Sequence, residues 1–242
     1  VFGKGFKSKI KKIIDKKIYR KYQKLVFVSQ DNLEKFNKTY KDVKVEKEVI
    51  YNYINKENVL QKAKEEVNIN FEPKVINFVT VARLVPQKAI DRLIKVHSKL
   101  INNNYENYFY VIGSGPEKEN LQKTIKEKNV EKTFKLLGKK ENPYPYIKNA
   151  TYFCLLSNFE GYGMVIEEAK ILNKPIIITT TAAKEALKNY KNSKILENSE
   201  EGIYLGLKNV IENYNKTKEV NFENEYVEYD NKYIIDKIEE LI

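Results

Sequence analysis

After Pro73 the apolar residues fall into a regular alternation of two spacings. Short continuous runs rich in β-branched and aromatic residues predict strands at Val75–Val81, Tyr108–Ile112, Phe134–Leu137, Tyr152–Leu156, Ile176–Ile178 and Ser193–Leu196. Between them, apolar positions three or four apart predict helices at Ile90–Ile101, Glu117–Lys128, Met164–Leu172 and Glu200–Tyr214, with shorter ones in Asn142–Lys148 and Ala183–Leu187. This alternation predicts an α/β fold, a parallel sheet with helices on both faces. Before Pro73 the pattern is less regular. It predicts a strand at Leu25–Ser29, a helix at Asp31–Tyr40, a strand at Glu48–Tyr51, and a helix or irregular connection at Asn55–Val67. The change of texture near residues 52–74 marks the domain boundary, and residues 231–242 predict a terminal helix.

Residues 4–24 are amphipathic, with Phe6, Ile10, Ile13, Ile14, Ile18, Tyr22 and Leu25 recurring at helical spacing among lysines. Residues 1–24 hold ten Lys and Arg against Asp15 alone, so most of the chain's net charge of +11 sits there on a nearly neutral body. Two readings stay open: a helix packed on the protein through its apolar face, or one laid on an anionic membrane surface. A third reading, nucleic acid, is weaker and not expected as a partner, because stacking platforms and a recognised motif are both missing and the body is nearly neutral. No apolar run is long enough to cross a bilayer, and no apolar segment follows the basic start as a secretory signal requires. Residue 1 is Val and the one methionine is Met164, which implies that the natural N-terminus lies upstream.

In a sheet of this kind, ligands sit beyond the carboxyl ends of the strands. Four loops lie there: Arg83–Lys88, Gly113–Pro116, Gly138–Tyr146 and Ser157–Gly163. Arg83 and Lys88 are either two surface cations or a diphosphate clamp, a planar guanidinium beside a point charge. Gly113 and Gly115 permit a tight turn and close approach of a ligand; position 118 is Lys, so the dinucleotide fingerprint is incomplete. Glu160 and Glu168 bracket a glycine-bearing loop that feeds a helix N-terminus, a natural anion site. The lone Cys154 belongs to an apolar strand and reads as core; the lone His97 reads as packed, and the two give no transition-metal site.

Several stretches together resemble the retaining family-4 glycosyltransferases of the GT-B fold, from about residue 25 to the end. VARLVPQKAID resembles the family's arginine–lysine turn, with Ala82 and Ala89 standing where glycines are common. VIGSGPEKENL resembles the next glycine-bearing turn, and the block from LLGKKENPYPYI through LLSNFEGYGMVIEEAKILNKPIIIT resembles the family's glutamate-bearing segment. LVFVSQDNLEKF and VIYNYIN resemble the end of its N-terminal domain.

The resemblance implies a division into residues 1–52, the end of an acceptor-side domain carrying the basic helix, 53–74, a linker, 75–230, a Rossmann-like nucleotide-sugar-binding domain, and 231–242, a C-terminal helix. It implies that Arg83 and Lys88 bind the donor diphosphate and that Glu160 grips the donor-sugar hydroxyls. Backbone amides would come from Gly161, Tyr162, Gly163, Met164 and Val165, and Glu168 would bind the ribose. Gly113 would line the donor site, and Gly138, Asn142 and Pro143 would sit near the base. The implied reaction transfers a sugar with retention from a nucleotide sugar, UDP first among the nucleotides, to a hydroxyl of a glycan or lipid-linked acceptor. It needs no metal and no cofactor. Localisation would be cytoplasmic, peripheral at the inner face of the plasma membrane, in bacterial surface-polysaccharide biosynthesis. The family reacts in a cleft between two domains, so this chain alone is expected to bind donor but transfer poorly. A truncated or degenerate interaction module without catalysis is the alternative.

Overall fold

The computed structural model describes residues 6–217, 219 and 231–241. Lys4 at the start of the basic segment, residues 220–230 at the end of the predicted donor domain, and Ile242 lie outside the described residues. The chain divides into two compact units, residues 1–53 with 230–242, and residues 54–229.

The smaller unit contains helix α1 (Phe6–Tyr19), strand β1 (Lys24–Phe27), helix α2 (Gln30–Thr39), strand β2 (Glu46–Val49) and the terminal helix, here α9 (Asn231–Glu239). β1 and β2 pair in parallel, Lys24 opposite Glu46 and Phe27 opposite Val49. Ser29 caps α2 by accepting from the Asn32 amide at 3.2 Å. Phe36, Tyr40 and Val43 form the core, with Tyr19, Leu25, Phe27 and Val45 around them. Lys237 of α9 pairs with Glu48 at 3.5 Å.

α1 settles one of the two open readings. Its packed face is not the isoleucine stripe. Tyr19 sets its ring edge-on to Phe36 and Tyr40 at 5.0 and 5.1 Å. Asp15 accepts from the Tyr40 hydroxyl at 2.8 Å, and Lys16 pairs with Asp42. Ile10, Ile13, Ile14 and Ile18 are exposed, at 42–57%. Residues 15, 16 and 19 lie on the helix face opposite 10, 14 and 18, by the 100° step between residues.

The larger unit runs α3 (Lys56–Lys62), β3 (Ile76–Val81), a 3-10 turn (Pro86–Lys88), α4 (Ile90–Asn102), β4 (Asn107–Ile112), α5 (Lys118–Glu127), β5 (Phe134–Gly138), α6 (Tyr144–Asn149), β6 (Tyr152–Leu155), α7 (Met164–Ile171), β7 (Ile176–Thr179), a 3-10 turn (Ala182–Leu187), β8 (Ser193–Leu196) and α8 (Glu200–Thr217). Its six strands are all parallel, in the order β5-β4-β3-β6-β7-β8. Alternate strand residues feed two cores. Phe78, Phe109, Phe134 and Ile177 meet α4, α5 and α8, whereas Val79, Ile112, Phe153 and Ile178 meet α3, α6 and α7. Burial on both faces explains why these strands read as unbroken apolar runs. Cys154 lies in this core and burial pushes its thiol up. His97 is fully buried between the Asn107 and Thr133 side chains, each at 2.8 Å, and burial lowers its pKa to about 4.

The chain walks outward from β3 to β5, returns, and walks the other way from β6 to β8. The connections after β3 and β6 lead to helices on opposite faces, α4 and α7, and ligands of open α/β sheets bind at such a reversal.

Candidate functional site

Backbone hydrogen bonds lace the four loops at this edge together. Ala82 N–H donates to the Ile112 carbonyl at 2.9 Å, Leu84 N–H to Ser114 at 2.9 Å, and Gly113 N–H to Gly138 at 2.9 Å. Across the reversal, Asn158 N–H donates to the Gln87 carbonyl at 3.0 Å, and Gln87 Nε2 returns a bond to the Phe159 carbonyl at 2.9 Å. The glycines of the second loop serve this lacing. A Cβ on Gly113 would stand 1.9 Å from the Ala82 oxygen, and one on Gly115 2.3 Å from the Leu84 oxygen. Neighbouring backbone thus approaches both glycines closely, and Gly113 also lines the adjoining cleft.

The loops after β3, β4 and β5 border a cleft of about 340 Å³. Val81 and Ile112 form its apolar floor, and Arg83, Lys88, Gly113, Ser114, Lys139 and Lys140 line it. Four cations therefore meet at one edge, where the sequence pattern had singled out two. Lys139 and Lys140 follow directly on Gly138, the last residue of β5, and their place on the same edge was available from that register.

Lys88 has a second contact. Its Nζ lies 2.5 Å from Glu160 Oε1. Glu160 is 5% exposed, and the same oxygen accepts from Ser157 Oγ at 2.5 Å. A carboxylate taken from water needs such partners. The pair joins the loop after β3 to the loop after β6 and ties the cationic cleft to Glu160.

α7 begins just beyond. Gly163 caps it with φ +78°, a left-handed conformation that glycine adopts without strain. The first amides of α7, at Met164 and Val165, belong to the turn whose N–H groups have no partner inside the helix. The Tyr162 hydroxyl turns away to Glu167, donating at 2.8 Å, and Lys170 pairs with the same buried carboxylate at 2.8 Å. Glu167 thus holds the helix, and its neighbour Glu168 is half-buried and accepts from the Tyr144 hydroxyl at 3.2 Å. Asn142, just ahead of α6, accepts from the Tyr144 N–H at 3.2 Å and donates to the Lys62 carbonyl of α3 at 2.9 Å. Pro143 precedes that helix in an αR conformation.

Burial raises the pKa of Glu168, and the Tyr144 hydrogen bond opposes the shift. Burial and the Glu168 charge push the Tyr144 hydroxyl up to about 12. A carboxyl whose pKa is raised on folding holds its proton more tightly in the folded state, so stability falls as pH rises through that range. Glu168→Gln keeps the acceptor for Tyr144 and removes the charge. Its thermal midpoint should exceed the wild type's at pH 7, with the gap closing below the ordinary carboxyl range. Scanning calorimetry across pH measures the midpoint and the closing of the gap.

Residues 61–226 match the family of group 1 glycosyl transferases. The chain belongs to that family. Over 211 residues it is 28% identical to the N-acetylgalactosamine-N,N'-diacetylbacillosaminyl-diphospho-undecaprenol 4-alpha-N-acetylgalactosaminyltransferase of Campylobacter jejuni, covering 86% of this chain and 56% of that protein. Over 120 residues it is 28% identical to the poly(ribitol-phosphate) alpha-N-acetylglucosaminyltransferase of Staphylococcus aureus, covering 49% and 24%. The crystal structure of TarM superposes with a TM-score of 0.74 at 19% identity, covering 97% of this chain and 46% of that one. Anabaena HepE in complex with UDP gives 0.69 at 17%, covering 88% and 59%. These structural likenesses carry the fold, the GT-B architecture. The chain spans about half or less of the length of the curated relatives it matches.

Proposed function

We propose that this glycosyltransferase chain supplies the donor-binding part of a retaining enzyme that takes a sugar from a UDP-sugar to a hydroxyl of a glycan or lipid-linked acceptor. The observation that carries this reading is the junction at the sheet's reversal, where a cleft lined by four cations meets a buried carboxylate held by one of them. In the proposed complex, Arg83 and Lys88 neutralise the diphosphate, with Lys139 and Lys140 adding to the field, and no metal is required. The first amides of α7 point at developing negative charge on the leaving diphosphate, the kind of preorganised stabilisation that carries much of the rate effect in such transfers. Glu160 accepts hydrogen bonds from the sugar hydroxyls and Glu168 from the ribose, and Gly138, Asn142 and Pro143 border the base. The UDP of the HepE complex and the aminosugar transferases among the relatives favour a UDP-sugar donor. A thermal-shift panel of UDP, GDP and ADP tests it. A ligand that binds the folded state raises its midpoint with concentration. UDP should give the largest rise; a larger rise with GDP or ADP would reassign the nucleotide.

The acceptor side of the proposal is a membrane. No helix among the described residues is long and apolar enough to cross one. α1, however, turns four isoleucines outward, with Lys11 and Lys17 beside them, the arrangement of a helix lying in an anionic interface. The reading places the protein at the cytoplasmic face of the membrane, where lipid-linked acceptors are found. In pelleting assays with vesicles of phosphatidylglycerol and phosphatidylcholine, Ile13→Asp with Ile14→Asp should weaken binding about tenfold or more. Equal binding of the variant and the wild type would remove α1 from the contact.

A further inference from the structure

The carboxylate at the centre of the site is fixed by a residue that no ligand needs to touch. Ser157 lies two residues beyond the end of β6 and is 1% exposed. Its carbonyl accepts from Thr179 Oγ1 of β7 at 2.7 Å, so the neighbouring strand holds its backbone. Its hydroxyl donates to Glu160 Oε1 at 2.5 Å. Lys88, from the other side of the reversal, reaches that same oxygen at 2.5 Å. Both donors therefore converge on Oε1, and among the described residues Oε2 accepts no hydrogen bond. Two donors on one oxygen settle the rotation of a carboxylate as one donor does not. Lys88 alone would allow the group to swing about a flexible four-carbon stem; the Ser157 hydroxyl, on a short side chain anchored by β7, does not yield in the same way.

We propose that Ser157 is a positioning residue: it holds Glu160 by one oxygen so that the other faces the hydroxyls of the donor sugar. The inference rests on the donor-binding reading above. It assigns Ser157 an effect on the sugar and none on the nucleotide. Misplacing a hydrogen-bonding group by an ångström is enough to lose most of its binding contribution.

The test compares UDP with a UDP-sugar on the whole chain, by calorimetric titration of wild type, Ser157→Ala and Ser157→Cys. The donor used is whichever of UDP-glucose and UDP-N-acetylglucosamine the wild type binds more tightly. In Ser157→Ala the ratio of the donor's Kd to that of UDP should rise about tenfold, the worth of one charge-assisted hydrogen bond, while the Kd for UDP stays within about twofold. Cysteine, of similar size and a weaker donor, should fall between; it also decides the matter if the alanine variant does not fold. An unchanged ratio, or equal weakening of UDP and donor, overturns the inference, because a residue that merely supports the loop would move both ligands alike. So would a wild type that binds UDP and neither donor. Failure of the wild type to bind UDP at all would instead strike the donor-binding reading itself.

Discussion

Gly113→Ala should unfold the carboxyl edge of the sheet, with a loss of about 4 kcal/mol in urea denaturation and no measurable nucleotide binding. The new Cβ would meet the Ala82 oxygen at 1.9 Å and its carbonyl carbon at 2.9 Å. Relief by a small shift is blocked from both sides: Ala82 N–H is bonded to Ile112, and Gly113 N–H to Gly138. The residue's φ of +150° adds strain that any side chain would feel. Gly138→Ala is the matched control. Its φ is +73°, yet nothing stands within 4 Å of the added carbon, so only the left-handed backbone is penalised, by about 1 kcal/mol. Equal losses at the two positions would mean that backbone conformation, not the lacing of loops, makes Gly113 necessary.

The second large effect concerns the buried pair. Lys88→Met leaves Glu160 charged in a site where only Ser157 still donates to it, and should lower stability by about 3 kcal/mol. Adding Glu160→Gln should restore most of that loss, since a neutral amide in the same place asks less of its surroundings. Donor binding should remain lost in both single variants and in the double. Stability recovered without recovered binding, read by urea unfolding beside calorimetric titration, would show that the pair is kept for the ligand. A double variant no more stable than Lys88→Met would show that Lys88 supports the fold by packing.

Legibility of the chain follows burial. The inner strands β3, β4, β6 and β7 are covered on both faces, so each is a largely apolar run bounded by polar loops and its expected bounds lie within a residue of those found, whereas the edge strands β5 and β8 are partly exposed and carry Lys135 and Lys194. β2 was harder. The apolar run at Glu48–Tyr51 suggested the strand, but the pairing with β1 begins at Glu46, where Lys24 meets Glu46 and Glu48 across the ladder. This two-stranded ladder carries cross-strand charge pairs at Lys24 besides Leu25 and Phe27, which pack on the Phe36 core. α3 occupies only Lys56–Lys62 of the stretch Asn55–Val67, because Val59 is its single fully buried side chain. In α1 the spacing of isoleucines identified the helix and its apolar stripe but not its orientation; Tyr19 and Asp15, outside the stripe, carry the packing.

The site divides in the same way. Loops after β3, β4, β5 and β6 share one edge by topology alone, which is why Arg83, Lys88, Gly113 and Glu160 could be named together. Contacts between residues distant in sequence were not legible. Lys88 and Glu160 are 72 residues apart, and nothing in either local pattern pairs them. Ser157 sits three residues from Glu160 and reads as an ordinary loop polar residue until its burial is seen. Tyr162 is expected to offer its backbone amide and Asn142 to sit near the base; the contacts of their side chains with Glu167 and with the α3 and α6 backbone were likewise not legible.

The central claim, that this edge of the sheet binds a nucleoside diphosphate, is tested most directly by calorimetric titration of UDP into the chain. One UDP should bind per chain, saturably, and Arg83→Ala and Glu168→Ala should each weaken it about tenfold or more. Absence of saturable binding of UDP, GDP and ADP at millimolar concentration would contradict it.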